Sequence, residues 1–116
     1  MVYVLPAFDI DDLLRIGNHS GTNDSDGSDR AAFTDPVGVV TDPSSVTVKT
    51  KDPSGTIAEY GWPSAGPDGT LVKESTGRFY VDVLLDLDGT WYWQLTGEGT
   101  VQTSEEGEFW VRPSAF

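Results

Sequence analysis

Between frequent glycines and prolines, the apolar residues of this chain recur at every second position. That is the period at which successive side chains of an extended strand point to opposite faces. In Arg78-Phe-Tyr-Val-Asp-Val-Leu-Leu85, Phe79, Val81, Val83 and Leu85 fall on one side and Arg78, Tyr80 and Asp82 on the other, which predicts a strand with one buried face. Residues 90–96 repeat the pattern, with Trp91, Trp93 and Leu95 on one side and Tyr92, Gln94 and Thr96 opposite. The turn-forming segment Asp86-Leu-Asp-Gly89 joins the two, so these strands are expected to lie close in space. Upstream, Ser45–Lys51 puts Val46 and Val48 inward and its lysines outward. Asp52-Pro-Ser-Gly55 then forms a turn into residues 56–62, and the pair is expected to be a hairpin. Further strands are predicted over residues 13–16, 30–33, 71–74 and 108–112.

The sum is seven or eight short strands separated by turn signals at sandwich spacing. No ten-residue segment has helical period, and residues 11–15 are too short for more than a turn. The chain is therefore expected to be all-β, an immunoglobulin-like antiparallel β-sandwich; a closed barrel has the same count and alternation. Residues 17–29 are polar and glycine-rich, cannot bury enough surface to offset their ordering entropy, and are expected to be exposed and mobile unless bound. Residues 63–69 read as a hairpin tip or a sheet-crossing connection.

At 116 residues the chain fits one domain with a modest core of its own. Residues 1–8 read as an N-terminal arm, 9–113 as the sandwich with 17–29 inserted as an acidic loop, and 114–116 as a tail. There is no cysteine, which removes disulfides and thiolate metal sites from consideration. Seven Lys and Arg stand against 19 Asp and Glu, a net charge of −12 that repels phosphate backbones and anionic membranes. Nucleic acid and membrane are not expected partners. The apolar N-terminus lacks a basic region and runs at once into Asp9, Asp11 and Asp12, so no signal peptide is read there. No run approaches the roughly 18 apolar residues that span a bilayer, and a soluble protein is expected.

Hard oxygen donors cluster at Asn23, Asp24, Asp26 and Asp29 around Gly27, the residue types that calcium prefers. Placing Gly27 at the sixth position of an EF-hand loop puts Thr22 first and Phe33 where the bidentate Glu belongs. No metal is therefore expected, and Asp24, Asp26 and Asp29 would be the ligands if one bound. Asn18-His-Ser20 and Asn23-Asp-Ser25 match the glycosylation sequon, a pattern common by chance. His19 is the only histidine, and with no cysteine and no nucleophile-elbow motif a triad has no base to use. Adjacent acids at Asp11-Asp12 and Glu105-Glu106 point to opposite faces of a strand and cannot work as a facing pair. No glycine-rich phosphate loop precedes a helix. No catalytic residue, no cofactor and no enzymatic activity are expected.

The aromatic residues are more informative. If Trp91 and Trp93 face the core, Tyr92 faces outward; if Phe109 and Val111 face the core, Trp110 faces outward on what is expected to be the neighbouring strand. The two rings then form a docking patch for protein or sugar, or else lie beneath a loop or the N-terminal arm. Trp62, at a strand end beside the proline loop, is a third candidate.

Several segments carry a resemblance: Asp-Ile-Asp-Asp12, Asp42-Pro-Ser-Ser-Val-Thr-Val-Lys-Thr-Lys-Asp-Pro-Ser-Gly55, Ser75-Thr-Gly-Arg-Phe-Tyr-Val-Asp82, Gly89-Thr-Trp-Tyr-Trp93, Gly97-Glu-Gly99 and Glu105-Glu-Gly-Glu-Phe-Trp-Val-Arg-Pro113. Their order, over nearly the whole chain, resembles small immunoglobulin-like structural proteins of tailed phages and prophages; the loop 17–29 departs from it. The resemblance implies a non-enzymatic virion component at the head surface or the head-tail neck, with other virion proteins as partners and a homo-oligomer as one form of assembly. In such a role the arm residues Val2, Tyr3, Val4, Leu5 and Phe8 would dock on a neighbouring subunit as an added strand, or close their own domain. The competing expectation is a carbohydrate-binding or adhesin-like module, with Tyr92, Trp110 and Trp62 stacking on sugar rings and the acidic loop holding calcium.

Overall fold

The computed structural model describes residues 7–18, 32–99 and 103–113. Nine strands occur among them, and no helix. They are β1 (Ala7–Asp9), β2 (Leu13–Gly17), β3 (Ser45–Lys51), β4 (Ile57–Trp62), β5 (Gly69–Thr70), β6 (Val72–Ser75), β7 (Arg78–Leu84), β8 (Gly89–Glu98) and β9 (Thr103–Arg112). One sheet has six strands in the order β1-β9-β8-β3-β4-β5, and the other three, in the order β2-β7-β6. Among the described residues no pairing joins the sheets, so they form two layers and not a closed barrel.

The period-two alternation sorts side chains between core and solvent as expected. Val46, Val48, Trp91, Trp93, Leu95, Phe109 and Val111 enter the core from the large sheet, and Leu14, Ile16, Phe79, Val81 and Val83 from the small one. Leu71, Leu85 and Phe33 close it from connections. Each such side chain contributes roughly 1.5–3 kcal/mol by leaving water, and in a chain without disulfides this packing holds the layers together. The hairpin of β3 and β4 forms as predicted, with Val46 opposite Trp62 and Lys51 opposite Ile57.

Several expectations need correction. β7 and β8 belong to different sheets, so residues 86–89 carry the chain across the sandwich and do not close a hairpin. The indole of Trp91 donates to the carbonyl of Leu87 at 2.9 Å, fixing that crossing with the one polar atom the buried ring must satisfy. Phe33 is buried, but in a connection and not in a strand; Arg30 and Ala31 lie outside the described residues. β8 and β9 are each ten residues long, longer than predicted. The short strand β5 lies outside the predicted set, and β1 pairs the end of the N-terminal arm with β9 of its own domain.

An exposed loop is expected from residue 17 onward, yet Gly17 and Asn18 are both buried. Asn18 Nδ2 donates to the carbonyl of Gly77 at 2.8 Å, and its Oδ1 accepts from the Phe79 amide at 2.9 Å. One side chain thus satisfies backbone groups of β7 and of the turn before it. The sequon at Asn18 is therefore occupied by a structural contact. The connection through residues 33–44 is held at the same turn: Asp42 accepts from Lys73 Nζ at 2.6 Å and from the Gly77 amide at 2.7 Å.

Candidate functional site: the outer face of the six-stranded sheet

The register of the large sheet assembles its solvent-facing residues into rows that run across the strands. In one row Ile57, Lys51, Tyr92 and Glu108 stand side by side on β4, β3, β8 and β9. The next row holds Glu59, Lys49, Gln94 and Glu106. Beyond Tyr92 on the other side, Trp110 faces Thr90, placing its ring diagonal to that of Tyr92, within reach across a strand pair. Ile57 is 60% exposed, Tyr92 48% and Trp110 43%, three large apolar side chains that the fold leaves in water.

A shallow groove of about 220 Å³ runs between these rows, lined by Lys49, Lys51, Ile57, Tyr92, Gln94 and Glu106. Both lysines of this face lie on β3, with Glu106 and Glu108 on β9 to one side and Glu59 on β4 to the other. Lys49 approaches Glu59 at 3.5 Å, and Gln94 donates to Glu106 at 3.1 Å. Lys51 and Glu108 make no side-chain ion pair or hydrogen bond among the described residues. They sit two strands apart with Tyr92 between them, roughly 10 Å at the usual strand spacing, too far to meet.

The β3–β4 turn at the end of this face is rigidly built. Asp52 Oδ1 accepts from the Ser54 amide at 3.0 Å, the Ser54 hydroxyl at 2.7 Å and the Thr56 amide at 2.9 Å. The Ser54 hydrogen bond, joined by backbone amides and opposed by partial desolvation, holds the Asp52 carboxyl below its ordinary pKa. The turn fixes Pro53 and Ile57 at the rim, and the Cβ of Pro53 stands next to Gly89, on the strand that carries Tyr92.

Other exposed apolar residues are arranged differently. Leu13 and Leu84 face each other at one end of the small sheet. On the same sheet's outer face Arg15 is bonded to Asp82 at 3.1 Å and lies 3.9 Å over the Tyr80 ring, and Val72 stands exposed opposite Tyr80. Val37, Val39 and Val40 are exposed on a connection. Neither group combines aromatic rings with sorted charges on a flat, regular surface.

The remaining candidates fall in other places. Phe8 packs edge-on against Phe109, with centroids 5.4 Å apart, while β1 runs parallel to the end of β9, with Phe8 opposite Val111. Trp62 is half-buried against Phe79 at 4.7 Å, and Lys73 Nζ lies 5.7 Å from its ring. Val2, Tyr3, Val4 and Leu5, like Asp24, Asp26 and Asp29, lie outside the described residues. Among the described residues no group of three or more metal-ligating side chains converges. Tyr92 and Trp110 were singled out from alternation alone. Lys49, Lys51, Ile57, Glu106 and Glu108 join them only through the strand order β9-β8-β3-β4, which no local pattern encodes.

No family model, no curated protein and no solved structure matches the chain.

Proposed function

We propose that this protein is a non-enzymatic assembly module that binds protein through the outer face of its six-stranded sheet, and that it serves as a structural component of a tailed-phage particle at the head surface or head-tail neck. The observation that carries the binding reading is the juxtaposition of Tyr92 and Trp110 with sorted Lys and Glu side chains on one flat face. Aromatic anchors with charged neighbours are the composition of protein interfaces, and several copies acting together hold a flat module without a deep pocket.

The fold is read as immunoglobulin-like. What supports that reading is the strand order, with β2, β7 and β6 taken as strands B, E and D, and β9, β8, β3 and β4 as G, F, C and C′. β1 then adds to the outer edge of G. The phage role rests on the resemblance over the segments above, and the virion is the location it entails.

The test uses particles from a phage or lysogen lacking this gene. Purified protein added back is expected to band with the particles on a density gradient, and the Tyr92→Ala/Trp110→Ala double variant is expected to stay at the top. A wild-type protein that ignores particles yet binds soluble polysaccharide, and loses that binding with Trp110→Ala, would overturn the reading in favour of a carbohydrate-binding module.

A further inference from the structure

We infer that the face formed by β4, β3, β8 and β9 is self-complementary, and that its partner is a second copy of this chain packed across a two-fold axis parallel to β8. This rests on the proposal that the face binds protein, and it names the partner.

The inference follows from the sorting of charge. On the outer face both lysines lie on β3; Glu106 and Glu108 lie on β9, across β8 from them, and Glu59 flanks Lys49 from β4. A closed dimer built from one patch must bring residue i of one copy onto j of the other and the reverse. For two facing sheets, the axis lies in the plane between them. If it crosses the strands, β3 faces β3 and lysine meets lysine. If it runs along β8, β3 of one copy faces β9 of the other at an unchanged level along the strands. Lys51 then meets the partner's Glu108 and Lys49 the partner's Glu106, twice each, while Tyr92 and Gln94 meet their own copies on the axis. Facing sheets pack in this aligned sense with a crossing of about 30°. Trp110 falls across from the Pro53 turn, which the Asp52 hydrogen bonds hold in place.

Magnitudes permit this arrangement. Four strands of six to ten residues, at ~3.4 Å per residue and ~4.8 Å spacing, give a face roughly 14 Å across the strand axes and roughly 20 to 34 Å along them, at the small end of specific interfaces. The net charge of −12 on each copy opposes association at long range. At physiological salt that repulsion decays over ~8 Å, while contact pairs shielded from water are screened far less. Lys51 and Glu108, which make no side-chain ion pair or hydrogen bond among the described residues, gain one in the dimer.

Charge exchange measured by sedimentation equilibrium tests this. The wild type is expected to dimerise, and Lys51→Glu and Glu108→Lys are each expected to weaken the dimer about tenfold or more, since each change spoils two pairs. The combined variant Lys51→Glu/Glu108→Lys is expected to return to within about threefold of wild type. A general charge effect gives another pattern, because the two single changes move net charge in opposite directions and would shift affinity in opposite senses. Both positions are exposed, and an unchanged urea midpoint certifies the fold of each variant. A wild type monomeric to ~1 mM, or a combined variant no better than the singles, overturns the inference. Retained binding of a monomeric wild type to particles, lost in Tyr92→Ala/Trp110→Ala, would remove the dimer while leaving the proposed binding face standing.

Discussion

The indole of Trp93 lies flat against the backbone of Gly107, so close that a Cβ at Gly107 would stand 2.6 Å from Cζ2 and Nε1 of the ring. The two residues are directly opposed across β8 and β9, and the missing side chain is what lets a tryptophan fill this end of the core. Gly107→Ala is expected to force the ring from its place and to cost about 1–3 kcal/mol, the usual range for overpacking. Urea unfolding followed by tryptophan fluorescence measures it, and an unchanged midpoint would show that the ring moves freely.

Asn18 holds the other sheet in a comparable way, bonding to both Gly77 and Phe79 while almost fully buried. Asn18→Leu takes its side-chain acceptor from the Phe79 amide and one of two donors from the Gly77 carbonyl, which keeps the Phe33 amide; an unsatisfied buried polar group costs about 1–3 kcal/mol. The expected result is a lower urea midpoint with faster amide exchange at Phe79. Asn18→Asp keeps the acceptor for Phe79 but turns an oxygen toward the Gly77 carbonyl, and is expected to be destabilising as well.

Asp42 makes stability depend on acid. Partial burial raises its pKa, but the hydrogen bonds from Lys73 and from the Gly77 amide, together with the Lys73 charge, outweigh this and leave the carboxyl below its ordinary value. A carboxylate with a depressed folded pKa stabilises above its unfolded value and loses that contribution as pH falls through the folded one. The difference in urea midpoint between wild type and Asp42→Asn is therefore expected to be full at pH 7 and to shrink below about pH 4. A difference constant down to pH 2 would contradict the assignment.

How far the sequence reveals this molecule varies with the kind of information. Alternation found β3, β7 and the middle of β8 and placed Phe79, Trp91, Trp93 and Leu95 in the core, because one buried face imposes a period of two wherever it is continuous; β4 followed from the turn that precedes it. The first half of β9 escaped because its core-side positions are Thr103, Glu105 and Gly107, with no apolar side chain to mark them; the marker at Gly107 is the Trp93 ring on the neighbouring strand. Asp86-Leu-Asp-Gly89 has the composition of a hairpin turn, but its direction is decided by the Trp91 bond to Leu87, a contact composition does not express. Asn18 looked like loop because its value lies in two backbone partners some 60 positions away. The proposed binding face was half legible: Tyr92 and Trp110 follow from facing, whereas the Lys51–Tyr92–Glu108 row requires knowing that β3, β8 and β9 are neighbours.

The proposed association through the outer face of the large sheet can be probed one position at a time. Because the chain has no cysteine, a single introduced thiol reports on one place. Gln94→Cys puts it near the axis on β8, and Asp82→Cys puts it on the outer face of the small sheet. Facing sheets lie about 10 Å apart, so a bis-maleimide of about that span, at concentrations where the wild type self-associates, measures the claim directly. Rapid covalent dimer from Gln94→Cys and little from Asp82→Cys is the predicted result; equal yields from both, or more from Asp82→Cys, would contradict it.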